Sequence, residues 1–459
     1  MTILKLNTMA KPVRFQGNFI EYAPRVLNLT GLRYFILTTT IGFFFAFVPQ
    51  YILAQDSGKF ISLEYCYEQI EASYPITQKF EIQKKITELN DRIARSGLFP
   101  EVQLSASASY QSDVTEVPFA ANAPELSKDH YNVSVDVTQP IYDGGRTGAM
   151  RKLEMEQRAV EDAGVKTELW NVRGQTEQVY FGILFLQKQS QTVNVLIKDL
   201  EKQLESVQAK IDNGVLLPGN GLVLEAELLK VQQQSIQVRY DLEAAYEVLS
   251  ELIGEEITPD TELEIPSVQA MGFIPREISR PELELFSVQT NTLNLQQELT
   301  ASDKLPKVSA FAKTAYGRPG LNVFENDLQT FWIVGLKAQW SLKSLLNSGK
   351  KEEVLELQKR KIQADEETFR LGVKNELSKS EKKLEQLREQ IELDEKVLKL
   401  REQVVKEKKN LLEQGVITST EYITELNAES QARLNLEIRQ VQLIQSIIEY
   451  STKKGISWN

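Results

Sequence analysis

The apolar positions of this chain follow two rhythms. Four stretches alternate residue by residue. Val102, Leu104, Ala106, Ala108 and Tyr110 stand against Gln103, Ser105, Ser107 and Ser109, and Tyr131, Val133, Val135 and Val137 against Asn132, Ser134, Asp136 and Thr138. A weaker run, "KVSAFAKTAYG", begins at Lys307, and "FWIVGLKAQWSL" sets Trp332, Val334, Leu336, Ala338 and Trp340 on one face. Period-two alternation places one set on each face of a strand. Sustained over about ten residues with aromatics near the ends, it is the signature of a transmembrane β-strand. The second rhythm has a period of seven. It runs through Val165, Val172, Val179, Leu186, Val193, Leu200 and Val207, and again through Leu377, Leu384, Ile391, Leu398, Val405 and Leu412. Such a stripe keeps one face of a long helix against a partner and implies a left-handed supercoil. No proline interrupts Arg146–Asp212 or Lys350–Gln414, so each segment predicts a single helix of roughly 100 Å.

Each long helix ends at a Gly-Val tip, then resumes. "KIDNGVLLPGNGLVLEAELL" (210–229) and "LLEQGVITSTEYITELNAES" (411–430) align at Gly214 and Gly415, an offset of 201. Ile197, Leu204 and Ile211 match Leu398, Val405 and Leu412 at the same offset. The strand-to-helix junction "YDGGR" (142–146) is set against "LLNSGK" (345–350), with a few residues inserted. The predicted order in each half is short helix, strand, loop, strand, long helix, tip, medium helix. The short helices are expected at Leu63–Arg95 and Pro281–Asp303. The division is then 1–54 signal peptide, 55–253 first structural repeat, 254–280 Pro-rich connector and 281–459 second structural repeat.

Four strands cannot close a membrane barrel, and an open edge cannot stand in lipid because its backbone groups would be unpaired. Three chains would pool twelve, an even number within the range of such barrels. A membrane reading of the strands therefore requires an oligomer.

Composition adds exclusions. Arg33, an apolar run and Ala54 before Gln55 read as a secretory signal, with cleavage expected after Ala54. The alternative is a permanent anchor over residues 34–53, which three threonines and Pro49 weaken. Removing 1–54 leaves 48 basic and 63 acidic residues, a net charge of −15. That sign argues against nucleic acid as a partner, because binding a phosphate backbone needs the opposite charge. A single cysteine, Cys66, and a single histidine, His130, leave no material for an internal disulfide, a Cys-based zinc cluster or a His-based catalytic dyad. No catalytic, cofactor or metal residues are assigned. "DGGR" lacks the Gly-Lys-Ser/Thr chemistry of a phosphate loop and fits a turn.

In this order the elements resemble the TolC family of outer-membrane efflux proteins, the channel-tunnel components of tripartite efflux and type I secretion systems. "SLEYCYEQI", "GLFPEVQLSASASY", "TQPIYDGGR", "NGVLLPGNG…LEAELL", "RPELEL" and "QGVITSTEYITELNAES" carry the resemblance over nearly the whole exported chain. It implies a fold that is mainly α with membrane β. A homotrimer would pool a twelve-stranded outer-membrane barrel, four strands per chain, continuing into a long helical tunnel across the periplasm. It further implies a passive export duct rather than an enzyme. Outer-membrane lipid would surround the barrel, and a periplasmic adaptor (membrane fusion) protein and an inner-membrane transporter would complete the system. The tips that receive the adaptor's hairpin map to Gly214, Val215, Leu216, Gly415, Val416, Ile417 and Thr418. The acidic ring some members carry after the second tip maps to Glu421 and Glu425, glutamates where aspartates are the family's pattern. The alternative is a periplasmic coiled-coil adaptor or scaffold without a membrane barrel. An adaptor would carry one helical hairpin, and a scaffold would leave the alternating stretches without a role.

Overall fold

The computed structural model describes residues 60–114, 126–267 and 277–456. The signal peptide expected at 1–54 and part of the connector expected at 254–280 lie outside them. The chain order is α1 (Leu63–Ser73), a 3-10 turn (Pro75–Thr77), α2 (Gln78–Ser96), β1 (Glu101–Tyr110), β2 (Asp129–Tyr142), α3 (Arg146–Asp212) and α4 (Pro218–Ile253). It continues with α5 (Pro281–Ser302), β3 (Lys307–Arg318), β4 (Gln329–Gln339), α6 (Leu342–Glu413) and α7 (Ser419–Lys454).

Two elements differ from expectation. The single short helix expected at Leu63–Arg95 is broken in two, because Pro75 disfavours helical backbone at Tyr74 and restarts the chain as a 3-10 turn. The second long helix begins at Leu342, before Lys350, so "LLNSGK" is helical and no turn occurs there. Ser341 caps this start, its Oγ accepting from Ser344 N at 3.3 Å. The first half turns instead through Gly144 and Gly145, with Asp143 accepting from the backbone N–H of Gly145 and Thr147 at 2.9 and 2.8 Å.

The strands form one antiparallel sheet in the order β1-β2-β3-β4. Directly opposite residues share a face, so the register sorts the side chains. One row reads Leu104, Val135, Thr314, Trp332, and the next Val102, Val137, Ala312, Val334. On the other face lie Gln103, Asp136, Lys313 and Ser105, Ser134, Ala315. Asp136 and Lys313 form an ion pair at 3.5 Å on that face. β4 is the least sorted, with Phe331 and Ile333 on the polar face. Among the described residues nothing covers the apolar face: Leu104 is 73% exposed, Trp332 69% and Leu336 73%. Every residue of β1 is exposed, and among the described residues the outer edges of β1 and β4 have no strand beside them.

Below the sheet, α3 is the central column, bordered by α2, α4, α5 and α7, whereas α6 lies against α5 and α7. The main core joins α1, α3, α4 and α7 with the connector through Cys66, Tyr67, Tyr180, Phe181, Tyr246, Leu249 and Ile448. The Tyr180 hydroxyl faces the carbonyls of Ile61 and Glu264 at 2.8 and 2.6 Å, and Ile61 pairs as an isolated parallel bridge with Leu263 of the connector. Glu177 is buried here, 2% exposed, accepting from Tyr67 Oη at 2.8 Å and Thr452 Oγ1 at 2.6 Å. Burial pushes its carboxyl above the ordinary range despite these donors. Among the described residues no helix is long and apolar enough to cross a membrane.

Candidate functional site

The two tips are built alike. At the end of α3, Gly214 N donates to Ile211 O at 2.9 Å and Val215 N to Lys210 O at 2.8 Å. At the end of α6, Gly415 N donates to Leu412 O at 3.0 Å and Val416 N to Leu411 O at 2.9 Å. These bonds close each helix with the Gly in the left-handed region, φ 72° and 73°, where a β-branched residue would be strained. Val215 and Val416 follow and are 61% and 65% exposed. Leu216 and Ile417 come next and turn inward onto one shared apolar cluster with Val207, Leu224, Leu412, Tyr422 and Leu426. Each tip thus offers one valine outward and uses its neighbour to hold the turn down.

The helices restart by different means. α4 begins with Pro218, whose missing N–H is harmless at a helix start. α7 begins after Thr418, whose Oγ1 accepts from Glu421 N at 3.4 Å.

The tips are joined to each other. Lys210 Nζ donates to Glu413 O at 2.9 Å, Ser419 N to Asn220 Oδ1 at 3.0 Å, and Asn427 Nδ2 to Glu227 Oε1 at 2.8 Å. The seven tip residues singled out from the sequence therefore lie on one end of the molecule, in one continuous surface. Beside the first tip is a groove of about 580 Å³ with Leu204, Ile211 and Leu228 in its floor and Glu201, Glu205 and Glu225 around it. This groove was missed in the sequence, because it needs Glu201 and Glu205 of α3 to be brought against Glu225 of α4 by the hairpin.

Glu421 and Glu425 sit in the first two turns of α7. Glu421 is exposed and lies 3.9 Å from Lys408. Glu425 is half-buried and bonded to Arg401 of α6 at 2.7 Å. The ladder continues upward, with Arg433 reaching Glu402 at 2.8 Å and Glu429 at 2.6 Å, and Arg439 reaching Asp394. Arg401 was not singled out beforehand, because a pair 24 residues apart is brought together only by the hairpin register. Among the described residues no group of three or more His, Cys, Asp or Glu is placed to hold a metal ion.

Comparison with known proteins agrees with this architecture. Residues 75–255 match the family described as outer membrane efflux protein. No curated protein sequence matches the chain. Among solved structures, the outer membrane protein VceC from Vibrio cholerae superposes with a TM-score of 0.63 at 16% identity, covering 85% of this chain and 96% of its own. CusC gives 0.65 at 12% identity, with 87% and 95% covered. The CmeC outer membrane channel of Campylobacter jejuni gives 0.60 at 12%, with 86% of each chain covered. At these identities the structural likeness speaks for the fold. Residues 75–255 thus match the outer membrane efflux protein family, and the described residues share the fold of these solved channel structures.

Proposed function

We propose that three copies of this chain form a passive export duct that spans the outer membrane and reaches through the periplasm to a docked adaptor and inner-membrane transporter. The observation that carries this reading is the four-stranded sheet, apolar on one face, polar on the other and open at both edges. A soluble sheet would bury the apolar face on its own core. Here that face is uncovered, as suits a wall against lipid. The open edges of β1 and β4 require partner strands, and twelve strands from three chains close the ring. The helical part also carries exposed apolar residues: Leu222, Leu229 and Ile236 of α4, and Leu371, Leu393 and Leu400 of α6. A scaffold or adaptor without a barrel would leave the sheet unexplained.

The tips are the adaptor's landing surface in this reading. Val215 and Val416 supply small apolar knobs, and the groove beside the first tip suits a helix with an apolar stripe flanked by basic residues. Val215→Asp with Val416→Asp should leave the trimer's native mass unchanged and abolish adaptor co-purification; retained binding would remove the tips as the dock. Glu421 and Glu425 would form acidic rings at the entrance and favour cations. Glu421→Gln with Glu425→Gln should lower cation selectivity in planar bilayers, and unchanged conductance and selectivity would dismiss the rings.

The deciding experiment is the native mass of the protein extracted from outer membranes in mild detergent. A trimer supports the pooled barrel. A monomer, or a protein that stays soluble without detergent, overturns it.

A further inference from the structure

α5 and α2 hold corresponding places in the two halves, and only one of them is covered on both sides. Phe99-Pro100-Glu101-Val102 aligns with Leu305-Pro306-Lys307-Val308, so α2 maps onto α5 at an offset of 206, while α3 maps onto α6 at 201. Burial follows this mapping: Thr87 and its counterpart Leu293 are each buried, at 7% and 9% exposed.

α5 has two working sides. One faces α6, with Phe286 against Phe369 at a ring separation of 6.0 Å and Gln297 accepting from Lys359 at 2.7 Å. The other faces α3, with Glu298 bonded to Lys152 at 3.0 Å and Glu284 to Lys166 at 2.8 Å. On α2, the counterpart of the first side is occupied, since Asp91, the equivalent of Gln297, pairs with Arg151 of α3 at 2.5 Å. The counterpart of the second side is bare. Ile82, Ile86, Leu89 and Ile93 form an apolar stripe at helical spacing and are 55%, 42%, 56% and 68% exposed. Their equivalents on α5 (Val288, Thr292, Leu295 and Leu299) are half-buried.

The element missing beside α2 is the one that stands to it as α3 stands to α5, which under the mapping is an α6. The chain's own α6 is already placed on α5, so the α6 must come from another copy. Charge supports the assignment. The Lys152–Glu298 pair maps onto Glu353 and Arg92, the same complementarity with the signs exchanged. Both residues are exposed, and neither has an ion-pair partner among the described residues. Nearby, Val354 of α6 is 53% exposed, although its α3 counterpart, Leu153, is 9% exposed.

We infer that the apolar stripe of α2 packs against the N-terminal half of α6 of a second copy, with Arg92 paired to Glu353 of that copy. This rests on the oligomeric duct proposed above and names the contact that sets which copy lies on which side. The charges fix register and the stripe provides the buried area.

The test is a charge exchange in the full-length protein, extracted from outer membranes and followed by native mass and thermal dissociation at low ionic strength. Arg92→Glu and Glu353→Arg alone each place like charges at every interface and should weaken association on the order of tenfold or more. Arg92→Glu with Glu353→Arg should restore it. In parallel, Arg92→Cys with Glu353→Cys in a Cys66→Ser background should oxidise under copper-phenanthroline to covalent oligomers, each disulfide giving up two electrons and two protons to the oxidant. A wild-type trimer whose double exchange is as weak as the sum of the singles, and whose cysteine pair stays monomeric in denaturant, would overturn this contact and leave the duct standing. A wild-type monomer would overturn both.

Discussion

The two hairpins, α3 with α4 and α6 with α7, share length, tip geometry and register but are closed by different chemistry. At the offset of 201, Leu200 and Leu224 of the first correspond to Arg401 and Glu425 of the second. The leucines are fully buried in one cluster; the arginine and glutamate form an ion pair at 2.7 Å. Val193 and Val238, 3% and 2% exposed, correspond to Asp394 and Arg439, which are also paired. At these matched positions the first hairpin is closed by apolar side chains and the second by ion pairs, although nearer the tip Leu412, Tyr422 and Leu426 of the second join the same apolar cluster. Buried apolar area contributes roughly 25 cal/mol per Å², whereas an exposed ion pair contributes about 0–1 kcal/mol. Supercoil geometry therefore tolerates either seam, while the strength of the seam does not carry over. At the matched positions the ionic seam is expected to be the weaker of the two.

The largest effect should separate the seams directly. Leu200→Ala leaves a cavity in the first hairpin and should cost about 2–5 kcal/mol. Arg401→Ala, at the matching position of the second, should cost less than about 1 kcal/mol because the arginine side chain is 43% exposed. Equal losses in thermal unfolding would break the comparison.

A second test concerns the one carboxylate that the first hairpin buries. Glu177 has a raised native pKa, caused by burial. Between the ordinary value of 4.5 and that higher value, the native state holds more protons than the unfolded chain, so stability falls as pH rises through this window. Glu177→Gln should flatten the fall, and an unchanged slope in pH-dependent melting would show that Glu177 is not its source.

Smaller still, Arg401→Leu with Glu425→Leu transplants the apolar seam. It should leave stability unchanged or raise it, since replacing an ion pair with packed apolar groups is often neutral or favourable. It should also remove part of the salt sensitivity of amide exchange in α6 and α7, which screening otherwise weakens by a few tenths of a kcal/mol. If the salt response of α3 and α4 matched that of α6 and α7, the ionic seam would have no distinct role. The smallest signal is chemical: burial pushes the Cys66 thiol up to about 12, so the native protein should resist maleimide at neutral pH and react only when unfolded.

Much of this was legible in the sequence. Alternation marked all four strands, and the tips were found because Gly-Val recurs at 201. The seven-residue stripe marked the first seam well: Val165, Val172, Val193, Leu200 and Val207 are buried. In the second seam only Leu412 is buried and the other stripe residues are half-exposed, because charged side chains close that hairpin beside them. Two boundaries were misread for local reasons. Pro75 was passed over as helical, and "NSGK" was taken for a turn although a glycine is tolerated within a long helix at a cost of about 1 kcal/mol. The cross-helix bonds Arg401–Glu425 and Asn427–Glu227 depend on register between helices, which no single stretch of sequence encodes.

The bareness of β1 bears on how the protein is made. A lone chain would hold that strand with one edge unpaired and neither face covered, so in the proposed duct the sheet is completed only when neighbours arrive. Completion of the barrel would then be a step of high molecularity, with a yield that depends on how many chains reach the membrane together. A slowly supplied chain would wait with its helices formed and its strands loose, exposed to proteases at the outer-membrane end first.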